Sequence, residues 1–170
     1  MQIKIPTDAK VFIDSNIFIY HFLGNHILSG SCTNLLKNIE DGIYHGYTSV
    51  VVLKEVLHIL MLSDAIELYD LKPNSAVTYL EKHPEIVKNL TKSSDSIEKI
   101  EQMNIVILPL TNIDIIKSRI IRENYGLLTN DSVNLFLMQN HNIPYIATND
   151  SDFDNIKHSH IWKPLSITNF

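Results

Sequence analysis

The chain has 170 residues, of which 45% are hydrophobic and 19% charged, so it is long enough to bury one full core. Its one cysteine, Cys32, excludes an internal disulfide framework and a zinc cluster built from cysteines. The balance of 14 Lys and Arg against 19 Asp and Glu gives a formal charge of −5, which argues against a basic surface for nucleic acid.

The apolar runs of the chain are short, whereas a bilayer-spanning helix needs about 18 to 20 apolar residues. Charge interrupts residues 50–62, where Lys54 and Glu55 stand side by side. The N-terminus lacks the apolar stretch and the small-residue cleavage site of a secretory signal. We therefore expect a soluble, cytoplasmic protein without membrane association.

The first predicted element is a short buried strand. Residues 11–13 are β-branched or aromatic, and they end at Asp14. Ser15 and Asn16 are candidates for the cap of the helix that follows, which continues to about Leu23.

Helical spacing of apolar residues dominates the middle of the chain. The helices predicted there cover about residues 31–41, 50–62 and most of 63–104. Thr48 and Ser49 have the side chains of a helix cap. Pro73 and Pro84 interrupt the last of these segments, and residues 92–96 are the best candidate for a loop.

The second half of the chain alternates apolar strands with helices. Strands are predicted at 105–108, 143–147 and about 161–162, and helices at 112–125 and 129–142. Thr129 and Asn130 are expected to cap the last helix, with Asp131 in its first turn. The alternation predicts an α/β fold with a mainly parallel sheet, and the even composition predicts a single domain over 1–170.

Four acids interrupt apolar or capped segments of this pattern: Asp14, Glu55, Asp131 and Asp150. Asp14 and Asp150 follow predicted strands, at the sheet edge where parallel α/β folds bind their ligands. Carboxylates on one rim repel one another, and a buried charge is costly without a partner. A divalent cation such as Mg²⁺ or Mn²⁺, which prefers oxygen ligands, would offset both effects.

Each acid taken alone also has a purely structural explanation. Asp14 could simply cap the first helix, and Asp131 could do the same for its own helix, because Asp in a first turn favours the helix dipole. Asp150 lies in a turn-rich sequence, and Glu55 can pair with Lys54 at the surface. The ordered combination of the four acids is what favours a metal site.

Two arginines form a small basic cluster on the helix predicted at 112–125. Arg119 and Arg122 are three residues apart, and Lys117 precedes them. This cluster is either a solvated helix face or a patch that contacts phosphate beside the acids.

Other patterns that carry chemistry are weaker. His158 and His160 have the spacing of metal ligands, although a solvated position near the C-terminus is favoured. The sequence contains neither a Gly-rich dinucleotide loop nor a Gly-Lys-Ser/Thr phosphate loop. Phosphatases of the haloacid dehalogenase type need a second Asp two residues after the first, and this chain has Asn16 there.

Four motifs, in order along the chain, resemble those of the PIN-domain nucleases and especially of the VapC-like toxins. They are Val-Phe-Ile-Asp14-Ser-Asn16, Thr48-Ser-Val-Val-Val-Leu-Lys-Glu55, Tyr125-Gly-Leu-Leu-Thr-Asn-Asp131 and Ile146-Ala-Thr-Asn-Asp150-Ser-Asp152-Phe153. The resemblance covers about residues 11–163. The segment at about 61–104 is longer than in compact members of the family.

The resemblance implies a three-layer α/β/α PIN-like domain that acts as a metal-dependent endoribonuclease with one or two Mg²⁺ or Mn²⁺ ions. It carries over Asp14, Glu55, Asp131 and Asp150 as catalytic and metal-binding acids, Asp152 as a fifth acid or outer ligand, and Asn16 and Thr148 as supporting hydrogen-bonding residues. It also implies a homodimer, an RNA substrate and a small antitoxin that covers the acids. The alternative is an inactive PIN-fold protein that binds nucleic acid or serves as a scaffold.

Overall fold

A central sheet of five parallel strands, in the order β3-β2-β1-β4-β5, is the frame of the protein. The computed structural model describes residues 3–157 and 159–166, and the strand count refers to these residues. The strands are β1 (Lys10–Ile13), β2 (His45–Ser49), β3 (Val106–Leu108), β4 (Tyr145–Ala147) and β5 (His160–Trp162). The parallel sheet confirms the predicted fold class.

Helices connect the strands and cover the sheet. In chain order they are α1 (Ser15–Leu23), α2 (Ser29–Glu40), α3 (Val50–Tyr69), α4 (Ala76–Lys82), α5 (Pro84–Val87), α6 (Lys92–Gln102), α7 (Asn112–Lys117), α8 (Arg119–Tyr125) and α9 (Thr129–Asn140). The 3₁₀ turns Pro73–Ser75 and Ser151–Phe153 lie in the connections. Among the described helices, none is both long and apolar enough to cross a membrane.

The strand order reverses its direction at β1. From β1 the chain moves to one side through β2 and β3, and it then returns to the other side for β4 and β5. Because crossovers between parallel strands are right-handed as a rule, this reversal places helices on both faces of the sheet, in agreement with the three-layer prediction. The carboxyl ends of β1 and β4 meet at the reversal, where Ile13 pairs with Ala147.

Burial of β1 fixes the centre of the core. Val11, Phe12 and Ile13 are completely buried, as expected for an inner strand of a parallel sheet that is covered on both faces. The chain therefore leaves the core directly into Asp14, at the carboxyl edge of the sheet.

The predicted loop at residues 92–96 is wrong, because this stretch opens helix α6. Ser93, Ser96 and Ile100 are buried on one face of α6, which packs against α3. The Ser96 hydroxyl donates to the Lys92 carbonyl at 2.8 Å, so the polar side chain is satisfied within the helix. Serines that look like loop residues in the sequence are the small residues of a close helix contact.

The helix predicted over residues 112–125 is divided into α7 and α8. The break falls at Ser118, which is completely buried and donates from its hydroxyl to the Ile115 carbonyl at 2.8 Å. Thr111 and Asp114 close a capping box at the start of α7, so the first of the two helices has its own N-terminal signal.

Strand β2 and the ends of some helices also differ from the prediction. The stretch before Val50 is a strand as well as a cap, and α3 continues to Tyr69 rather than ending near residue 62. Helix α1 is capped by Asp14, not by Ser15 or Asn16. Helix α9 begins at Thr129 without any side-chain cap, so Thr129 and Asn130 do not have the predicted capping role.

Candidate active site

The site lies where the carboxyl ends of β1 and β4 meet. Asp14 follows β1 directly, and its main-chain amide donates to the Ala147 carbonyl at 3.0 Å, which extends the pairing of the two strands by one residue. Its side chain is buried, with 6% of the residue exposed. A carboxylate at this depth needs hydrogen bonds or a cation to remain charged.

Three donors surround the Asp14 carboxylate. Oδ1 accepts from the Ser15 amide at 2.8 Å, which makes Asp14 the N-cap residue of α1. Oδ2 accepts from Asn16 Nδ2 at 2.7 Å and from Thr148 Oγ1 at 2.6 Å. Capping and site formation are therefore two roles of one side chain, and the structural explanation of Asp14 does not exclude the functional one.

Thr148 connects Asp14 to the loop that carries Asp150. Its hydroxyl gives its one proton to Asp14 and accepts from Asn16 Nδ2 at 3.1 Å and from the Asp150 amide at 2.9 Å. Asn16 in turn accepts at Oδ1 from the Asn149 amide at 2.9 Å. The loop after β4 is thus fixed to the start of α1 by side chains that the sequence predicts as supporting residues.

Three acids meet in front of this network. One carboxylate oxygen each of Asp131, Asp150 and Asp152 can be chosen so that all three lie within 4.8 Å of one another. Asp131 is in the first turn of α9, whereas Asp150 caps the 3₁₀ turn by accepting from the Asp152 amide at 2.9 Å. The structure therefore brings together three of the predicted site residues as a compact group.

Glu55 approaches the same group from α3. Its side chain is half-buried, and the pKa of Glu55 is raised first by burial and then by the negative charge of Asp14, with Asp150 adding to the effect. A hydrogen bond with the Ser15 side chain opposes this shift. Glu55 is not one of the residues in the compact group, but it lies within electrostatic reach of it.

Burial and neighbouring negative charges raise the pKa values of Asp131 and Asp14. Burial, followed by the charges of Asp14 and Asp150, raises the pKa of Asp131 to about 6. Burial also raises the pKa of Asp14, with a further contribution from Asp150, although the hydrogen bonds from Thr148 and Ser15 act against it. Both effects disfavour the charged form of a carboxyl.

The donor set fits a hard divalent cation. Asp131, Asp150 and Asp152 offer only carboxylate oxygens, the ligand type that Mg²⁺ and Mn²⁺ prefer. The raised pKa values show that the metal-free acids gain from any charge that offsets their repulsion. The residues present therefore fit the metal that the sequence implies.

A buried polar pair that the sequence did not reveal joins the two helices carrying Asp131 and Glu55. Ser49 Oγ donates to Asn134 Oδ1 at 2.7 Å and accepts from the Val52 amide at 3.2 Å. Asn134 is 2% exposed and lies one turn after Asp131. Its only sequence signal is a polar residue inside an otherwise buried stretch of α9.

His158 and His160, which have the spacing of metal ligands, are not placed in this site by the residues that the structure describes. His158 lies outside the described residues, and the ring of His160 stacks on Tyr145 with centroids 4.8 Å apart.

An apolar groove opens beside Glu55. It has a volume of about 580 Å³ and is lined mainly by α3, including Val51, Leu57 and Met61, together with Asn130 of α9. The groove and the acids therefore share Glu55 as a common wall.

Comparison with known proteins finds relatives over most of the chain. The family model described as PIN domain matches residues 11–159. Ribonuclease VapC2 of Methanocaldococcus jannaschii is 31% identical over 151 residues, which are 88% of this chain and 90% of the relative.

Two solved structures share the fold. VapBC2 from Rickettsia felis, bound to a DNA fragment from its promoter, matches with a TM-score of 0.54 and 16% identity, covering 91% of this chain and 98% of the other. A toxin–antitoxin complex from Klebsiella pneumoniae matches with a TM-score of 0.56 and 15% identity, covering 92% and 99%. From the family model and the similarity to VapC2, the chain belongs to the PIN domain family.

Proposed function

We propose that this protein is a cytoplasmic, metal-dependent endoribonuclease that hydrolyses RNA phosphodiester bonds. The observation that carries the proposal is the group of carboxylate oxygens from Asp131, Asp150 and Asp152 within 4.8 Å, beside the anchored Asp14. The similarity to a protein named as a ribonuclease supports the choice of substrate.

In this proposal Asp14, Glu55, Asp131 and Asp150 bind the metal and form the catalytic acids, and Asp152 is a fifth acid that completes the group. Asn16 and Thr148 support them, because both donate to Asp14 Oδ2 and together they fix the Asp150 loop. Mg²⁺ or Mn²⁺, when bound, supplies a Lewis acid that activates water and offsets the charge of the phosphodiester.

The residues of the chain itself set the conditions for hydrolysis. Asp14 keeps one orientation because three donors hold its two oxygens. The neighbouring acids repel a phosphate as well as one another, so RNA binding at this edge should depend on the cation. This dependence resolves the conflict between a nucleic-acid substrate and a net charge of −5.

We further propose that the chain is the toxin of a VapBC-type pair and that a small antitoxin covers the acids. One structural neighbour is a toxin–antitoxin complex, and the other is VapBC2 bound to promoter DNA. The apolar groove along Val51, Leu57 and Met61 supports this proposal, because a protein segment placed in it would lie against Glu55.

A homodimer is the last part of the proposal. Large apolar side chains of α7 and α8 are strongly exposed, among them Ile113 at 54%, Ile116 at 69% and Ile120 at 55%. Such a concentration is typical of a surface that another chain covers.

RNA cleavage with and without metal tests the function. Wild type should cleave single-stranded RNA only with Mg²⁺ or Mn²⁺, and Asp14→Asn should lose at least roughly 100-fold in rate, since it removes an acid of the site. Asp41→Asn, at an exposed position after α2, is the matched control and should keep wild-type activity. Cleavage that survives Asp14→Asn would sink the proposal, and metal binding without cleavage would favour a scaffold.

A further inference from the structure

The two arginines of α8 have different surroundings. The Arg119 side chain is 76% exposed, and its Nε donates to Glu123 at 2.6 Å in an ion pair one turn apart. Arg122 is half-buried, and its Nη1 donates to Ser118 Oγ at 2.9 Å and to Ser132 Oγ at 3.2 Å. The solvated-face interpretation therefore fits Arg119 and not Arg122.

The two serines hold the guanidinium of Arg122 by one nitrogen. Ser118 Oγ donates its proton to the Ile115 carbonyl, and Ser132 Oγ donates its proton to the Thr129 carbonyl, each at 2.8 Å. Both hydroxyls are therefore acceptors for Arg122, and together they use both protons of Nη1. We call Ser118 and Ser132 the clamp. Because both serines are completely buried, the clamp is rigid.

The clamp leaves the other edge of the guanidinium without a partner. Nε and Nη2 carry three N–H groups, and no acceptor within residues 3–157 and 159–166 bonds to them. Within these ranges no carboxylate forms an ion pair with Arg122 either. A half-buried charge that is fixed in place and keeps unused donors is suited to an external anion.

The position of this charge identifies the anion. Ser132 directly follows Asp131, so the clamp holds Arg122 against the first turn of α9, the helix that carries Asp131. A planar guanidinium edge with parallel N–H groups matches two oxygens of a phosphate. We propose that Arg122 binds a backbone phosphate of the RNA next to the cleaved bond, an inference that rests on the proposed function.

Kinetics of RNA cleavage with Mn²⁺ test the inference. Arg122→Gln removes the charge and should raise KM roughly tenfold or more, as expected for the loss of a charge-assisted hydrogen bond, with kcat changed much less. Arg122→Lys keeps the charge and should recover part of the loss. Arg119→Gln removes an equal charge from the same helix and should leave KM within about twofold of wild type.

Binding of the same RNA, with Ca²⁺ in place of Mn²⁺, gives a second measurement. If Arg122 binds a phosphate, the slope of log affinity against log salt should decrease by about 0.7 in Arg122→Gln and stay unchanged in Arg119→Gln. Thermal unfolding of each variant separates this role from a merely structural one. A lower melting temperature with unchanged KM and salt slope would show that Arg122 only ties α8 to α9, and would overturn the inference.

The failures of the two proposals can be told apart. If wild type cleaves RNA and the Arg122 variants match Arg119→Gln in KM and salt slope, only the role of Arg122 is overturned. If wild type neither binds nor cleaves RNA in the presence of metal, the proposed function fails, and the inference fails with it.

Discussion

Thr148 donates a 2.6 Å hydrogen bond to Asp14, 134 positions earlier in the chain, and so joins the carboxyl ends of β1 and β4. The same hydroxyl accepts from the Asp150 amide, so one buried side chain orients an acid on each side of the strand pair. Thr148 can do this because its hydroxyl donates its single proton to Asp14, while the oxygen lone pairs are free to accept hydrogen bonds.

We predict that Thr148→Val weakens metal binding by roughly 10- to 100-fold, the usual effect of losing a side chain that orients a ligand. Valine has nearly the same shape but neither donates to Asp14 nor accepts from the Asp150 amide. Calorimetric titration with Mn²⁺ measures the change, and Thr148→Ser, which keeps the hydroxyl, is the control. Equal affinities for valine and wild type would refute the orienting role.

The sequence could predict the acids but only part of their arrangement. Asp14 and Asp150 follow strands, and parallel strands bring such residues to one edge, so this part follows from the strand pattern. The grouping of Asp131, Asp150 and Asp152 within 4.8 Å depends instead on where α9 begins, because that start positions Asp131. The sequence does not predict this start correctly, since α9 lacks the predicted cap.

The partners that fix the site are the part that the sequence hides. Ser49 and Asn134 are far apart in the chain, and Arg122 and Ser132 lie on different helices, so neither pair leaves a local pattern in the sequence. In the sequence Ser118 and Ser132 look like ordinary polar residues, whereas both are completely buried in the structure.

The fold shows the same division between local and tertiary signals. The apolar strand β1 is found where it was predicted, because its run of buried residues is a local signal. The sequence does not predict strand β2, since His45–Ser49 has neither an apolar run nor a clear alternation. Its place in the sheet comes from pairing with β1 and β3, which is tertiary information.

Metal affinity should fall as the solution becomes more acidic. The pKa of Asp131 is raised to about 6 in the metal-free chain, so protons compete with the cation for this carboxylate below neutral pH. We predict a clear loss of Mn²⁺ affinity between pH 7 and pH 5, measured by calorimetry in buffers of equal ionic strength. Affinity that is constant over this range would contradict the raised pKa.

Without metal, the acids with raised pKa values should make the folded chain more stable as pH falls from 7 to 5. A carboxyl whose pKa is raised on folding binds more protons in the folded state, so its stabilising contribution is complete below 3.8 and lost as pH rises through about 6. Asp14 and Glu55 shift in the same direction. His21, whose pKa is lowered by burial, acts in the opposite direction.

Urea unfolding in EDTA isolates the part that belongs to Asp131. Asp131→Asn should be more stable than wild type at pH 7, and the gap should narrow at pH 5, where wild type has taken up its proton. His21 is common to both proteins and cancels in the comparison. A gap that is independent of pH would mean that Asp131 does not titrate in this range.

Loss of the Ser49–Asn134 hydrogen bond should cost stability as well as activity. Asn134→Leu leaves the buried Ser49 hydroxyl without its acceptor, at an expected cost of about 1 to 3 kcal/mol in unfolding free energy. Ser49→Ala combined with Asn134→Leu should cost less than the sum of the single changes. Strict additivity in urea unfolding would show that the two side chains do not interact.

Gly46 of β2 is predicted to tolerate no side chain. A Cβ atom there would lie 2.6 Å from Ile39 Cγ2 and 3.0 Å from Ile105 Cγ1, and both isoleucines are buried. Since χ1 of isoleucine is stiff, Ile39 cannot move aside freely, and Gly46→Ala should lower the unfolding free energy by about 1 to 3 kcal/mol. In an Ile39→Ala background, which removes Cγ2, most of this cost should disappear. Urea unfolding of the four proteins measures the coupling, and an unchanged cost without Ile39 would place the conflict elsewhere.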